Sequence, residues 1–474
     1  MIPVLENRWI LKDNTLKYYG LRKKPYTFKN TVKVSVSTAK IIQSFDGIRH
    51  LSECKINGQI KQLIKKKIIV DVHSKRDVPD TIDNAFFCKN CCSNDYVIPG
   101  IEFDDNGLCP VCTNMSSFKN IKDVLPVVNT IEHNEKAKYD VALFYTGGKD
   151  STFLLYYFAD VLKLKVLALT WDIPFMSDNA IKSMNNAKEI FTDTDFISKA
   201  LSADEQATIY KKSYELMKNV CICPFAAYPL FLKELRDSKI KYVVSGNEPA
   251  QPINLIFNNL SPKTFYNPLF QMLFRALYNM VRIFKGLKPL KKGQMEMLLL
   301  LETLAFGQPR FISAKTVRNP MIRNIHEALK EADVLITSFR KEVEQATLDG
   351  DIPALIHIDF NDIIKGCMNN VLSDGYVWKD IKALLTDKAG WIDSGNIDSG
   401  LHTSCKIERC KDFSQYQSFK AMESDIIPFS ALELSVAVNL GSLTREDAIK
   451  EIRYNSGFTD VVPCETEIMI KSFM

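Results

Sequence analysis

The chain has 474 residues, of which 46% are hydrophobic and 25% are charged. It can therefore bury a large core, and this length predicts two to four domains of a soluble protein. The net charge of +5 predicts no general affinity for nucleic acid, and residues 1–8 lack the charged and apolar regions of a signal peptide. No uncharged apolar run reaches the ~18 residues that a membrane helix needs, so we expect a cytoplasmic protein.

Residues 1–79 have the pattern of a small winged-helix-like module. Thr31–Val36 alternates like a strand, Ser37–Phe45 is helical, a second helical stretch ends at Leu63-Ile64, and Ile68–Val72 returns to strand. This order resembles the PqqD-like elements, which implies a precursor peptide that adds to the module as an extra strand. A structural or dimerising domain is an alternative, as is DNA binding, which the modest charge disfavours.

Residues 80–135 contain two Cys-x-x-Cys pairs, formed by Cys88 with Cys91 and by Cys109 with Cys112. Each pair makes a tight turn that presents two thiolates, and two such pairs supply the four sulfur ligands that structural zinc prefers. Iron accepts the same ligands. The twelve cysteines of a chain without a secretion signal favour metal ligands or reactive thiols over disulfides. We predict a zinc site with four cysteine ligands.

A glycine turn at residues 146–152 reads Thr-Gly-Gly-Lys-Asp-Ser-Thr and lies between an apolar strand pattern at 140–145 and a helical one at 153–158. A strand that runs through glycines into a helix leaves N–H groups free at the helix N-terminus, where the helix dipole also favours an anion. We therefore predict a phosphate site. A Walker A loop is excluded, because it would need glycine at Leu143 and a hydroxyl at Asp150.

This loop resembles the Ser-Gly-Gly-x-Asp-Ser loop of the PP-loop ATP pyrophosphatases. The resemblance implies an α/β domain over residues 136–400 with a doubly wound, mostly parallel, Rossmann-like sheet that binds ATP and Mg²⁺. When the family's motif is matched residue by residue, the resemblance implies three catalytic residues. Lys149 would face the phosphate charge, Asp150 would lie near Mg²⁺ or the substrate, and Ser151 would donate its hydroxyl. The implied nucleotide-binding residues of the loop are Thr146, Gly147, Gly148, Ser151 and Thr152.

Residues 98–109, Ile-Pro-Gly-Ile-Glu-Phe-Asp-Asp-Asn-Gly-Leu-Cys, are similar to the segment that precedes this loop in the N-acetyl sugar amidotransferases of surface-polysaccharide assembly. Cys92 and Pro110 depart from the family pattern. The stretch that begins at Gly441, with Thr444 as a helix cap, is similar to a motif in the C-terminal part of the same enzymes. Residues 401–474 are accordingly expected to form a helical part that completes the active site.

Two further strands are expected to end beside the loop. Val161–Asp172 reads as the second parallel strand, and Tyr242–Glu248 reads as a later strand followed by a turn. By family analogy, four residues at these strand ends border the ATP and the substrate, namely Asp172, Gly246, Asn247 and Glu248. An ordinary turn between strand and helix is the alternative at 245–248.

Four more cysteines lie downstream of the loop. Cys221 and Cys223 precede a helix whose N-terminus could stabilise a thiolate, and Cys405 and Cys410 follow Gly390-Trp391 and His402 in an arrangement that, in the related enzymes, lies beside the active site. Together the four could ligate an iron-sulfur cluster. Buried structural cysteines are the alternative.

The segment 261–308 is expected to be a helical insertion. Pro268–Lys285 is apolar on all sides except at Arg275, Arg282 and Lys285. Such a helix has to be covered, and we expect it to pack on the core or on the second subunit of a homodimer. Peripheral contact with a membrane surface or a lipid-linked sugar is the alternative.

The sequence as a whole therefore favours an AMP-forming ATP pyrophosphatase. The expected reaction adenylates an amide or carboxyl oxygen, with an N-acetyl sugar as the expected substrate, for displacement by ammonia that a separate glutaminase supplies. The alternatives are a sulfur transferase that uses Cys221, Cys223 or Cys405, a peptide-modifying ligase that uses residues 1–79, and a non-enzymatic ATP-binding regulator.

Overall fold

The structure is a computed structural model of the chain. It describes residues 1–22, 31–115, 131–218, 222–246, 248, 250–258, 267–310, 320–367, 372, 375–393, 404–455 and 457–473. No helix within these ranges is both long enough and apolar enough to cross a bilayer.

The N-terminal part forms two small antiparallel sheets and two helices. Its elements are β1 (Pro3–Leu5), β2 (Trp9–Lys12), β3 (Thr15–Tyr18), β4 (Thr31–Lys33), α1 (Val36–Gln43), α2 (Gly58–Lys65) and β5 (Ile69–Asp71). Strand β1 pairs with β5, and β2, β3 and β4 form a meander. The predicted order of strand, two helices and strand is found in β4, α1, α2 and β5. Strands β1 to β3 were not predicted, and a winged-helix identity stays a prediction.

This module is attached to the rest of the protein by hydrogen bonds to main-chain carbonyls. Arg8 donates to the carbonyl of Lys420 at 2.7 Å and also to that of Phe419, while the hydroxyl of Tyr18 donates to the carbonyl of Gly100. The first residues of the chain are thus held against both the cysteine segment and the C-terminal helices. Between this module and the central domain, the described residues include one short α-helix, α3 (Pro110–Asn114).

The central domain is built on a five-stranded sheet with helices between the strands. In chain order its elements are β6 (Val141–Phe144), α4 (Lys149–Tyr156) with a π-helical turn (Tyr157–Val161), β7 (Val166–Trp171), α5 (Asp178–Ile190), β8 (Asp195–Lys199), α6 (Ala203–Met217), α7 (Cys223–Asp237), β9 (Tyr242–Ser245), α8 (Ala250–Phe257), α9 (Pro268–Phe284), α10 (Gln294–Phe306), α11 (Pro320–Leu329), α12 (Asp333–Asp349), β10 (Ala354–Ile356), α13 (Phe360–Cys367) and α14 (Trp378–Ala389).

After residue 404 the described part of the chain contains four helices: α15 (Ile407–Lys420), α16 (Phe429–Leu440), α17 (Arg445–Tyr454) and α18 (Cys464–Phe473). These helices lie in the range 401–474 for which a helical part was expected, and a role of that part in completing the active site stays a prediction. Thr444 caps α17 as predicted, because its hydroxyl accepts the N–H of Asp447 at 3.1 Å.

All neighbouring strands of the central sheet are parallel, in the order β10, β9, β6, β7, β8. Side chains of a strand alternate between the two faces of its sheet. Val141 and Leu143 of β6 accordingly lie in one buried core, and Ala142 and Phe144 lie in the other. A parallel sheet with a core on each face confirms the predicted α/β architecture.

Two predicted elements need correction. The second strand begins at Val166, not at Val161, because the preceding helix runs on through a π-helical turn and the backbone turns left-handed at Lys163 (φ 51°). Helix α9 has the expected length, but the core covers only one side of it. Arg282, expected at its polar edge, is fully buried.

Candidate functional site

The predicted loop lies where the winding of the central sheet changes direction. The chain leaves β6 for β7 and β8 on one side and then returns to β9 and β10 on the other. In doubly wound sheets this arrangement opens a crevice at the carboxyl ends of the two strands that flank the switch, and ligands bind there. Here those strands are β6 and β9, which are followed by residues 146–148 and 246–248.

Two glycines make the close contacts around the loop. Gly147 has a φ of 69°, and a Cβ at this position would lie 2.6 Å from the carbonyl oxygen of Ala180. A Cβ on Gly246 would lie 2.9 Å from the backbone nitrogen of Ser151. Since real Cβ atoms do not approach so closely, the turn after β9 touches the first turn of α4 only because residue 246 is glycine.

The loop is held by hydroxyl groups while the start of α4 is left open. The Ser151 hydroxyl accepts the N–H of Thr146 at 3.3 Å and donates to the carbonyl of Gly148 at 3.2 Å. Among the described residues no side chain caps α4, whereas Ser177 caps the next helix. The N–H groups of the first turn are therefore suited to bind an anion.

Lys149 extends into a buried cluster of polar and aromatic groups. Its ammonium donates to Asp150, to the Tyr376 hydroxyl at 2.9 Å and to Glu248 at 3.4 Å. The rings of Tyr376 and Trp378 lie 4.7 and 5.0 Å from the nitrogen. Burial lowers the pKa of Lys149, but the two carboxylates outweigh it and the net shift is upward. Lys149, which is 5% exposed, therefore keeps its charge.

Glu248 is the most perturbed acid of this cluster. Trp378 donates its indole N–H to one carboxyl oxygen at 2.7 Å, and the other oxygen, Oε1, is buried and has no hydrogen-bond partner among the described residues. Burial raises the pKa of Glu248 to about 8, against the opposing effect of Lys149. A buried acid with an unused oxygen in a crevice is typical of a functional site.

The Tyr376 hydroxyl links the lysine to the second acid. It accepts from Lys149 and donates to Asp150. Burial, followed by the charges of Asp150 and Glu248, raises the pKa of this tyrosine well above its ordinary value, so it remains a donor. The structure thus brings Lys149, Asp150 and Glu248 together, as the sequence indicated, and adds aromatic residues that no motif marked.

The remaining predicted residues lie near this cluster or outside the described part. Asp172 is exposed directly after β7, at the same sheet edge as the loop, and its N–H donates to the carbonyl of Lys199 at 2.8 Å. Thr152 is buried in the first turns of α4. Asn247 and His402 lie outside the described residues.

Two residues from the C-terminal half contact the loop. The indole N–H of Trp391 donates to the carbonyl of Gly147 at 3.1 Å. A Cβ on Gly148 would lie 3.3 Å from the Cβ of Ser404. The Gly-Trp pair at 390–391 was noted by analogy, but Ser404 had no sequence signal, since a lone serine carries no spacing that could mark it.

The four predicted metal ligands form one compact group. Their sulfur atoms all lie within 4.8 Å of one another, with 3.7 Å between Cys88 and Cys112, 3.5 Å between Cys91 and Cys109, and 3.7 Å between Cys109 and Cys112. Thiolates at ~2.3 Å from a tetrahedral ion are about 3.8 Å apart. The group therefore fits a single ion better than a four-iron cluster, in which each thiolate binds a different iron atom.

Residues of the C-terminal helices surround this cysteine group. The guanidinium of Arg445 donates to the carbonyl of Cys88 at 2.9 and 3.1 Å, and the amide of Asn439 donates to the sulfur of Cys112 at 3.2 Å. Ser435 bonds to Ser93 at 2.7 Å. The motif at Thr444 thus does more than cap a helix, because the residue after it holds the cysteine turn.

The proposed iron-sulfur ligands do not form a second group in the described part of the chain. Cys221 lies outside the described residues, as does the side chain of Cys223. Cys410 is buried, and burial raises its pKa to about 11, which disfavours a thiolate. Cys405 is half-buried next to Ser404, and its backbone pairs with that of Met176.

The chain has little similarity to known proteins in the comparisons made with families, curated proteins and solved structures. No protein-family description matches the sequence, and neither does any curated protein. One solved structure that is similar to part of the chain is the U34-tRNA thiolase NcsA from Methanococcus maripaludis with its 4Fe-4S cluster, at 14% identity over 55% of this chain and 88% of that one. The TM-score is 0.23. A likeness at this level carries no functional argument.

Proposed function

We propose that the chain is an ATP pyrophosphatase of the PP-loop type. The observation that carries this proposal is the position of the 146–152 loop at the switch point of a parallel sheet, with an uncapped helix N-terminus on one side and Gly246 closing on Ser151 from the other. A triphosphate bound there would meet backbone N–H groups, the dipole of α4 and a buried lysine.

The reaction follows from the resemblance of the loop to that family. An acceptor oxygen attacks the α phosphorus of ATP, and the bond to the bridging oxygen breaks so that pyrophosphate leaves. Ammonia then attacks the adenylated carbon, AMP departs with the original oxygen, and the nitrogen loses a proton. Asp150 is the residue that would hold Mg²⁺, which binds through one or two carboxylates together with phosphate oxygens.

Within this proposal, Lys149 and Glu248 organise the site. The lysine stays charged beside Asp150, and Glu248 can hold a proton near neutral pH because its pKa is raised to about 8. An acid with a pKa near the working pH is suited to transfer protons. Its unused Oε1 is the atom we assign to contact with the substrate or the nitrogen donor.

The acceptor that we propose is an N-acetyl sugar, and the nitrogen donor is ammonia from a separate glutaminase. Support for this finer assignment is the arrangement of the paired cysteine turns, the loop and the Thr444 helix in one chain. The structure places Arg445 of that helix on the carbonyl of Cys88. We propose zinc for the cysteine group, since its spacing fits a tetrahedral ion.

The test is to follow the products of ATP with acetamido sugars and ammonium. Release of AMP and pyrophosphate that depends on the sugar is expected. Asp150→Asn should lower that rate at least a hundredfold, while Asp160→Asn, at an exposed position beyond the same helix, should leave it unchanged. Production of ADP and phosphate would overturn the proposal.

Sulfur transfer is the second candidate, and one contact favours it. Cys405 follows Ser404, which lies against Gly148 of the loop, so its backbone is one residue along the chain from the candidate site. If the protein transfers sulfur, Cys405→Ser should abolish the thiolated product while ATP binding persists. Cys464→Ser, at an exposed position on α18, is the matched control. An unchanged sulfur product from the Cys405 variant would remove this candidate.

A further inference from the structure

Helix α9 turns an apolar face towards solvent. Eight large apolar side chains on it are 38% to 90% exposed: Leu269, Met272, Leu273, Leu277, Met280, Val281, Ile283 and Phe284. Because each residue of a helix is rotated by ~100° from the one before, these positions cover about half of its circumference. A continuous exposed apolar surface of this kind marks an interaction site.

The opposite side of α9 is anchored in the protein. Phe274 and Tyr278 lie in the core, and the guanidinium of Arg282 is fully buried. Arg282 donates to the carbonyl of Thr347 at 2.9 Å and to that of Lys288 at 2.7 Å. The helix cannot rotate to bury its apolar face without breaking these contacts and exposing its buried side.

The loop after α9 carries lysines and is held against the helix. Asn279 accepts the N–H of Leu290 at 2.8 Å and donates to its carbonyl at 2.9 Å. This arrangement places exposed side chains next to the C-terminal half of the apolar face, namely Lys285, Lys288, Lys291 and Lys292. Residues 249–295 contain no aspartate or glutamate. Helix α9 and the loop after it therefore contribute positive charges and no negative ones to the surroundings of the face.

We propose that this face, which we call the α9 face, binds the surface of an anionic lipid bilayer. The apolar side chains would enter the boundary between headgroups and acyl chains, and the lysines would contact lipid phosphates. Charge decides between this partner and a second copy of the chain. Two α9 faces brought together would offer the lysines no acidic partner, because residues 249–295 contain neither aspartate nor glutamate, whereas lipid phosphates would supply one.

The test is co-sedimentation of the full-length protein with vesicles. Wild type should pellet with vesicles of phosphatidylcholine and phosphatidylglycerol and remain in solution with phosphatidylcholine alone. Lys288→Ser combined with Lys291→Ser should weaken binding roughly thirtyfold. Leu273→Asn combined with Leu277→Asn should weaken it at least tenfold. These leucines are 53% and 57% exposed, so the variants should keep the thermal midpoint of wild type.

A matched control uses exposed apolar residues of another helix. Val334 and Leu348 of α12 are 79% and 57% exposed, and replacing both by asparagine should leave vesicle binding unchanged. The proposal is overturned if wild type ignores the anionic vesicles or if the Leu273 and Leu277 variant binds like the control. It is also overturned if sedimentation equilibrium finds a dimer that the same variant abolishes while no vesicle binding occurs.

Discussion

Replacing Glu248 by glutamine would remove a titrating group from the centre of the candidate site and keep its shape. The carboxyl group is 2% exposed, and one of its oxygens accepts the Trp378 indole N–H, which an amide oxygen can also accept. Burial raises the pKa of Glu248 from 4.5 to about 8 in the folded protein, while Lys149 acts in the opposite direction. The effect of this shift on stability depends on pH.

The direction of the pH effect follows from the number of protons bound in the folded and in the unfolded state. Between pH 4.5 and about 8 the folded protein keeps a proton that the unfolded chain has lost, so the free energy of unfolding falls as pH rises. Each pH unit in this window corresponds to about 1.4 kcal/mol, and full ionisation costs the folded wild type about 5 kcal/mol. Glutamine does not ionise. Glu248→Gln should therefore be more stable than wild type above pH 8, by roughly 3 to 5 kcal/mol.

Urea unfolding followed by circular dichroism, at about pH 5, 7 and 9, measures this difference. The difference in the free energy of unfolding between Glu248→Gln and wild type should be smallest at the lowest pH and should increase at each higher pH. Glu189→Gln, at an exposed position on α5, should show no such trend. If the Glu248 variant is less stable than wild type at the highest pH, or if the difference does not change with pH, our account of this buried acid is wrong.

Three further changes test the loop and the cysteine group. Gly246→Ala would place a Cβ 2.9 Å from the backbone of α4 and should abolish the thermal shift caused by ATP. Gly366→Ala should keep that shift, because a Cβ at residue 366 would have no atom within 4 Å. Native mass spectrometry of wild type should find one equivalent of metal, which Cys109→Ser should lose and Cys54→Ser should retain. Equal metal contents in the two variants would contradict the assignment. Trp391→Phe leaves the carbonyl of residue 147 without its donor and should lower the free energy of unfolding by about 1 to 2 kcal/mol, with an unchanged urea midpoint as the contrary result.

Much of this protein follows from short stretches of sequence. The cysteine pairs at 88–112, the glycine turn at 146–152 and the capped helix after Thr444 each depend on a few residues that are close in the chain. Local geometry then dictates their form, because a Cys-x-x-Cys turn or a strand-glycine-helix junction has few conformations. Three strands of the central sheet, β6, β7 and β9, could be read for the same reason, whereas β8 and β10 were not predicted.

Tertiary structure alone decided which distant residues these local elements contact. Lys149 meets Glu248 across 99 residues and Tyr376 across 227, and no spacing rule connects such distant positions. The sequence likewise did not show that the α9 face is exposed. An apolar segment indicates that its side chains favour burial, but not which of them the core covers. The side that the core covers carries Phe274, Tyr278 and Arg282, and Arg282 donates to the carbonyl of Thr347, which lies 65 residues further along the chain. Local sequence sets the conformation of each element, whereas burial and charge act between elements that only the folded chain brings together.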